Sequence, residues 1–332
     1  MNPGMPNDLV RRALMKATLA CCLGYSAGSA ADEAYPNKPI RLLIPFPAGG
    51  PSDIMARQIV QVMSKNIGQP FVVMNVVGAA GIAGTRQGAL AAPDGYTVIL
   101  GGTGTHTTNE FLYSKLPYDP EKDFIPLGLL YKAINVFLVS AESPFHTLQD
   151  LIKYAKAKPG ELNFAIGAIG SSSHLAFEKF RNDAGLNIVA VPYKGMPAAY
   201  TDLIGGRIQV MPNDVLQALG QIESGKVRAL AVTSAKRLAF LPAVPTVAES
   251  GFPDFEAVGW AGLFVPANTS RAIVQRLSTS LIDAMRDDEL LRAMAQRKVE
   301  LTAMTQSEFA SMLKRDREKW AAVIRAANIK LD

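Results

Sequence analysis

A chain of 332 residues has room for two domains of ordinary size or one large one. Hydrophobic residues make up 48% and charged residues 19%, with 27 Gly and 21 Pro, a globular composition that excludes disorder, collagen and coiled coil. The net charge of +5, from 34 basic and 29 acidic residues, is scattered along the chain and makes no case for nucleic acid.

The first 31 residues read as an export signal. Arg11, Arg12 and Lys16 form a positive start, Ala17 to Ala30 is apolar or small, and Ser29-Ala30-Ala31 offers small residues at a cleavage site. The run from Arg11 to Lys16 also resembles a twin-arginine signal, with Val10 where Ser or Thr is commoner, so either export route is open. The plain alternative is an amphipathic N-terminal helix. Removing the leader takes away three cations and Asp8 and lowers the net charge to about +3. Both cysteines, Cys21 and Cys22, leave with it, so the exported protein has no thiol for a disulfide, a metal or a nucleophile. Lipidation at Cys21 is disfavoured because Thr18 stands where a lipobox has Leu.

From Ile40 the chain alternates short apolar runs with helical patterns. Strands are predicted at Ile40 to Pro45, Phe71 to Val77, Tyr96 to Leu100, Leu162 to Ile166, Asn187 to Tyr193, Ile208 to Met211 and Val227 to Thr233. Helices are predicted at Ser52 to Ile67, Leu148 to Lys156 and Leu175 to Phe180. The apolar stretch Ile125 to Ser140 carries Lys132 and Asn135 and reads as two buried strands, not a membrane span. This alternation predicts an α/β protein with largely parallel sheets and pockets at the strands' carboxyl ends. After Ala257 the pattern changes to a strand at Val258 to Val265, helices at Arg271 to Arg286 and Glu289 to Lys298, a short strand near Val299 and a long helix at Gln306 to Ala327. No loop in this tail suggests a pocket, and the run Lys314 to Lys319 reads as a solvated helix face.

Five turns are rich in Gly and hydroxyls: Pro45 to Asp53, Gly78 to Gly81, Gly101 to Thr107, Gly167 to His174, and Val191 to Gly195. Glycine lets backbone N–H groups approach a ligand, and helix N-termini offer unpaired donors, so such turns suit anions. Ser52 or Asp53 alone is more often a helix cap than a contact, but five such turns over both halves argue for a ligand cleft. Catalytic patterns are missing after the leader: no GxxxxGK[ST], no GxGxxG, no GxSxG and no HExxH. His106 and His174 could pair on a metal, or either could serve a nucleophile among Ser171 to Ser173, but a third ligand at metal spacing is lacking.

The motifs YPNKPIR (35 to 41), PFPAGGPSD (45 to 53), AAPDGYT (91 to 97), KLPYDPEKDF (115 to 124), AKPGELNFA (157 to 165), VPYKG (191 to 195), VRALAVTSAKR (227 to 237) and LPAVPTVAESG (241 to 251) run in order along the chain. Together they closely resemble the substrate-binding receptors of tripartite tricarboxylate transporters, the Bug receptors, from about Tyr35 to Ile329. The resemblance implies a periplasmic α/β protein of two lobes, of the type II-like binding-protein fold, with a ligand cleft between lobes joined by crossover hinge strands. The expected divisions are a leader at 1–31, one lobe from 32–132 plus 256–332, and a second lobe from 133–255, with the tail packed on the first lobe. It implies no catalytic step, no cofactor and no metal. A small organic carboxylate would be held by Phe46, Ala48, Gly49, Asp53, Thr103, Thr105, Ala168, Ser171, Ser172, Tyr193 and Asn213.

Departures from the family pattern bear on the ligand. The second turn, commonly NRPGAGG, is here Asn75 to Gly81 without the Arg and Pro; Ile166 and Ile169 stand where small or polar residues are common; and an FDN strand end is Pro212-Asn213-Asp214. They imply a less polar cleft and a carboxylate with an apolar or aromatic body. The expected partners are this organic acid and either membrane transporter subunits or a sensor protein, with the receptor itself a monomer. The rival reading is a periplasmic serine hydrolase using Ser172 and His174.

Overall fold

A computed structural model describes residues 35–331; the expected leader at 1–31, with Arg11, Arg12 and Cys21, lies outside them. Twenty elements and two short non-α turns follow Ile40. They are β1 (Ile40–Ile44), α1 (Pro51–Ile67), β2 (Phe71–Asn75), α2 (Ile82–Ala89), β3 (Thr97–Gly102), α3 (Asn109–Leu112), β4 (Phe124–Ala133), β5 (Asn135–Ser140), α4 (Leu148–Ala157) and β6 (Asn163–Ile166). Then come α5 (Ser172–Asp183), β7 (Val189–Pro192), α6 (Met196–Ile204), β8 (Met211–Asp214), α7 (Val215–Glu223), β9 (Val227–Val232), β10 (Gly259–Pro266), α8 (Arg271–Ala284), α9 (Asp288–Gln296) and α10 (Gln306–Ala326).

Local chemistry explains many of the boundaries. Gly68 ends α1 in a left-handed conformation, φ 82°, that an L side chain would resist. Thr147 with Asp150, and Thr305 with Glu308, form capping boxes at the starts of α4 and α10. No helix among the described residues is long and apolar enough to cross a membrane.

The sheets are mixed, which corrects the expectation of largely parallel ones. A five-stranded sheet runs β2-β1-β3-β10-β4, in which β1 pairs parallel with β2 and β3 while β10 is antiparallel to both neighbours. A three-stranded antiparallel sheet runs β8-β5-β9, and β6-β7 is a parallel pair joined to it by a bridge between Phe164 and Val210. Parallel strands come from the βαβ units; β10 enters from a distant part of the chain, and period-2 patterning does not encode direction. Every residue of β10 is buried, because it lies between β3 and β4 and under α10. Gly262 is required there, since a Cβ would stand 2.4 Å from the Phe309 ring.

Ile125 to Ser140 forms two strands, β4 in the first sheet and β5 in the second, with only Ile134 between them. Beside this crossing runs a second one: Ala257 donates its N–H to Thr233 O, Asn135 Nδ2 reaches Ala257 O, and Gly259 pairs with Ala133. Lys132 and Glu256 tie the crossings by an ion pair of 2.7 Å. The molecule is thus two sheet systems joined by adjacent extended segments, which is a two-lobed α/β architecture.

The tail departs from expectation in three ways. No strand forms near Val299; that residue instead donates its N–H to Met294 O, closing the end of α9. In the run 314–319, Asp316 is buried and Arg317 pairs with Glu110 at 2.6 Å, so it is not simply a solvated face. The second half of α10 also leaves the first sheet: Trp320, Val323 and Ile324 pack in the core of Phe137, Phe164, Phe177 and Phe180.

Candidate functional site

A cavity of about 950 Å3 opens between the two sheet systems. Its floor is the crossing itself, Tyr131 to Asn135. One wall is the N-terminus of α1, with Ser52 and Met55, and the opposing wall is the Gly167–Ser173 loop with the start of α5, beside Asn213 and Asp214.

Two helix N-termini therefore border one space. The N-cap of α1 is Gly50, which has no side chain to cap the helix, and Pro51 at its first position has no N–H. In α5, Ser171 is the N-cap and accepts from the amide of His174. The amides of Ser172 and Ser173, earlier in that first turn, have no partner among the described residues. Free first-turn amides and the partial positive end of the helix favour an anion. Hydroxyls add neutral donors: Ser52 Oγ and Tyr131 OH lie 2.8 Å apart across α1 and β4, and burial raises the Tyr131 pKa, keeping the phenol protonated.

The α5 loop is held from behind. Gly170 turns the chain at φ 77° and donates its N–H to His174 Nδ1 at 3.0 Å, while His174 Nε2 faces Glu178 at 3.6 Å. Glu178 is in turn clamped by Arg181 at 2.6 Å. Both ring nitrogens thus face structural partners, and neither faces a serine hydroxyl, which removes the geometric basis for the Ser172 and His174 hydrolase. His106 is buried between Phe264 and Phe124, with ring centroids 4.0 and 4.8 Å away, and its Nδ1 lies 2.9 Å from Thr105 Oγ1. Burial, with the Arg317 charge, pushes its pKa down to about 3, so it stays neutral. Among the described residues no group of three His, Cys, Asp or Glu could hold a metal ion.

Of the eleven expected ligand contacts, the structure gathers Ala168, Ser171, Ser172 and Asn213 on this cavity. Asn213 is already engaged: its Nδ2 donates to Tyr200 OH and its Oδ1 accepts from the Asp214 amide. The other seven do not line it. Thr103 Oγ1 accepts from the Trp260 amide, and Thr105 Oγ1 accepts from Gly102 N–H, because β10 packs against that turn. Tyr193 OH donates to Asp202 on α6. Phe46 O accepts from Asn75 Nδ2, and Ala48 and Gly49 are exposed on the turn before α1.

Asp53 organises that turn. Its carboxylate, 3% exposed, accepts from the Gly49 amide, Arg57 Nε and Asn75 Nδ2, each at 2.9 Å. Burial alone would raise its pKa, but these hydrogen bonds and the Arg57 charge together hold it at about 2. A pKa depressed below the unfolded value of 3.8 contributes stability that is present above that pH and lost as pH falls toward 2. Asp53→Asn is expected to cost about 2 kcal/mol at pH 7, with the difference from wild type shrinking between about pH 4 and pH 2. Urea unfolding across that range measures it; a difference independent of pH would show that the charge is not the cause.

Ile166 and Ile169 do not make the cleft apolar. Ile166 is buried in the core of Phe137, Phe164, Phe177 and Phe180, and Ile169, 45% exposed, is not among the residues that line the cavity. The cavity's apolar surface comes from residues that sequence reading missed: Met55, Leu238, Phe240, Leu291 and Val299. The last two belong to the tail in which no pocket-forming loop was expected. Met55 sits on the apolar stripe of α1 and had a readable signal; the others are brought in only by packing.

The solved structures that this one resembles include that of the periplasmic binding protein BugD, with a TM-score of 0.72 at 33% identity, covering 90% of this chain and 100% of that one. R. palustris Rpa4515 with adipate superposes with a TM-score of 0.75 at 33% identity, covering 90% of this chain and 100% of that one. MatC from Rhodopseudomonas palustris with bound malate gives 0.71 at 29%, covering 87% and 100%. The family model described as the tripartite tricarboxylate transporter family receptor matches residues 55–329, and Protein BugT of Bordetella pertussis is 34% identical over 309 residues, 93% of this chain and 94% of that protein. The chain belongs to the tripartite tricarboxylate transporter receptors, the family that includes the Bug proteins. It is a solute-binding receptor of that class and not an enzyme.

Proposed function

We propose that the chain is a periplasmic receptor whose cleft binds a small organic carboxylate at the two facing helix N-termini, α1 from one lobe and α5 from the other. The observation that carries this reading is that Ser172 and Ser173, whose amides have no partner among the described residues, line the same cavity as the start of α1, which has no side-chain cap. A carboxylate there would be held by backbone N–H groups and the hydroxyls of Ser52, Tyr131 and Ser172, with no cation needed to neutralise it. The adipate and malate named with two related structures fit this ligand class.

In this reading the lobes comprise residues 32–132 with 256–332 and residues 133–255, except that the last turns of α10 join the second lobe's core. The crossings at 133–135 and 257–259 act as the hinge. Closure would bring the exposed turn of Phe46, Ala48 and Gly49 toward the ligand, whereas Asp53, Thr103, Thr105 and Tyr193 support the turns from behind. Residues 1–31 act as the export leader, and the receptor works as a monomer that hands its ligand to membrane transporter subunits.

A thermal-shift screen of the purified protein against organic acids tests this, because a ligand that binds only the folded state raises the melting temperature; at a hundred times its Kd the gain is about 2.7 kcal/mol. A rise with a carboxylate that is recovered unchanged supports the reading. Protection by amines or neutral sugars, and by no acid, would overturn it.

A further inference from the structure

One edge of the five-stranded sheet is open. β2 is its outer strand, paired with β1 alone. The Pro70 carbonyl and the Val76 amide both bond to β1, which fixes the phase of the ladder: even-numbered residues face β1, and the N–H and C=O groups of Val73 and Asn75 face outward. Phe71 shares the outward phase, and its amide is taken by Ser64 Oγ at 3.2 Å. The amides of Val73 and Asn75 have no partner among the described residues.

The other outer strands are covered or blunted. Ser278 of α8 donates its hydroxyl to Leu127 O of β4, the segment after β9 bonds to both the amide and the carbonyl of Val232, and β7 ends in Pro192 after four residues. β2 has none of these devices. Residues 71–77 read FVVMNVV, with no charge, Gly or Pro, and Val76 and Val77 stand where the common NRPGAGG turn has Arg and Pro, two residue types that blunt an edge. The side chains are open as well: Val72 is 48% exposed, Met74 39% and Val77 56%. Arg57 bonds to Asn75 from α1, so alternation puts Val72 and Met74 on the opposite face, beside Arg41 and Leu43 of β1 by register.

The charge around this edge has one sign. From Ile54 to Pro93 the sequence holds no Asp or Glu, whereas Arg57, Lys65 and Arg86 lie within it and are exposed. Arg41, also exposed, neighbours Val72, and Lys65 follows the serine that caps Phe71. Two copies of this chain pairing edge to edge would bring these cations together from both sides, a like-charge arrangement that costs affinity. A segment with acidic flanks would instead be met by them.

We propose that β2 is a docking edge for a partner protein, which adds an extended segment with apolar residues at alternate positions and acidic residues at its flanks. The segment pairs with the backbone of Val73 and Asn75, lays apolar side chains on Val72 and Met74, and meets Arg41 and Lys65 with its acidic ends. No residue of β2 lines the ligand cavity, so the docking edge stands independently of the solute that the cavity holds.

The probe is a labelled peptide of about nine residues, alternating Val and Thr with two Glu at each end, and its counterpart with Lys in place of Glu. Fluorescence anisotropy reads its binding to the purified protein, and amide hydrogen exchange reads its place. The Glu peptide is expected to slow exchange of the Val73 and Asn75 amides at least about tenfold and to bind at least about tenfold tighter than the Lys peptide. The double substitution Val72→Glu with Met74→Glu should lower its affinity by a similar factor, with the melting temperature unchanged because both side chains are exposed. Should that variant misfold, Val73→Pro repeats the test, since it removes an outward amide that nothing else in the chain uses. No protection of these two amides at about 1 mM Glu peptide, near the weak limit of specific binding, overturns the docking edge. Equal binding of the two peptides overturns the acidic partner. Concentration-dependent dimerisation in sedimentation equilibrium, abolished by the double substitution, assigns the edge to a second copy and overturns the partner protein.

Discussion

Ser172→Pro is expected to weaken carboxylate binding by roughly ten- to a hundredfold while leaving the melting temperature of the free protein nearly unchanged. Ser172 is the first residue of α5, where proline is well tolerated because its φ suits the helix and the N–H it lacks has no intrahelical partner. The preceding residue, Ser171, is already extended at φ −64° and ψ 159°, the conformation proline imposes on its neighbour. The substitution therefore deletes one amide donor without disturbing the helix, and a hydrogen bond to a charged group contributes about 1.5–3 kcal/mol. Ser172→Ala is the necessary companion. It keeps the amide and loses only the hydroxyl, whose one hydrogen bond among the described residues is a long one, 3.5 Å to Asn135 Oδ1. Titration of both variants with the best-binding acid separates backbone from side-chain recognition. Equal losses in the two would assign the grip to the hydroxyl and not to the helix N-terminus.

Asp316→Ala is expected to be the most destabilising single change outside the apolar cores, at about 3–5 kcal/mol. Asp316 Oδ2 accepts from Trp260 Nε1 at 2.8 Å, Trp320 Nε1 at 2.9 Å and Thr107 Oγ1 at 3.2 Å, and Oδ1 pairs with Lys319 at 2.7 Å. One carboxylate thus joins α10, β10 and the turn after β3. Its removal leaves the two buried indole N–H donors without an acceptor, while the Thr107 hydroxyl keeps Thr103 O at 2.8 Å, and each unsatisfied group costs about 1–3 kcal/mol. Asp316→Asn retains an acceptor oxygen and should lose less. Urea denaturation at pH 7 measures both, and a cost below about 1 kcal/mol for the alanine variant would show that water replaces the carboxylate.

Both predictions concern places where sequence alone was a partial guide. The strand and helix sequence of the first two-thirds was legible because its signals are local. Val, Ile and Leu runs bounded by Gly, Pro or Asn give β1, β3 and β9, and apolar residues at helical spacing give α1 and α4. The Ser-rich turn before α5 was legible for the same reason: a hydroxyl, glycines and a following helical run are the local chemistry of an N-terminus. Thr103 and Thr105 were indistinguishable from it in composition. Their hydroxyls are taken by β10 and by their own turn, and β10 lies more than 150 residues away in the chain.

The charge run 314–319 makes the same point in reverse. Its composition suits solvent, yet Asp316 is buried because Trp260 and Trp320 bring indole N–H groups to it. The cleft's apolar wall was equally hidden, since Leu291 sits in an ordinary amphipathic helix. Only the fold of the tail brings it to the same cavity as Phe240.

The sequence by itself determined the α/β class, the order of most elements, the hydroxyl- and glycine-rich turns and, through blocks spread over the chain, the receptor family. Tertiary structure alone decided the direction of β10, which turns retain free donors and which walls enclose the cavity. The physical reason is range: capping, periodicity and turn chemistry act within a few residues, whereas a donor is free or satisfied according to what the rest of the chain packs against it.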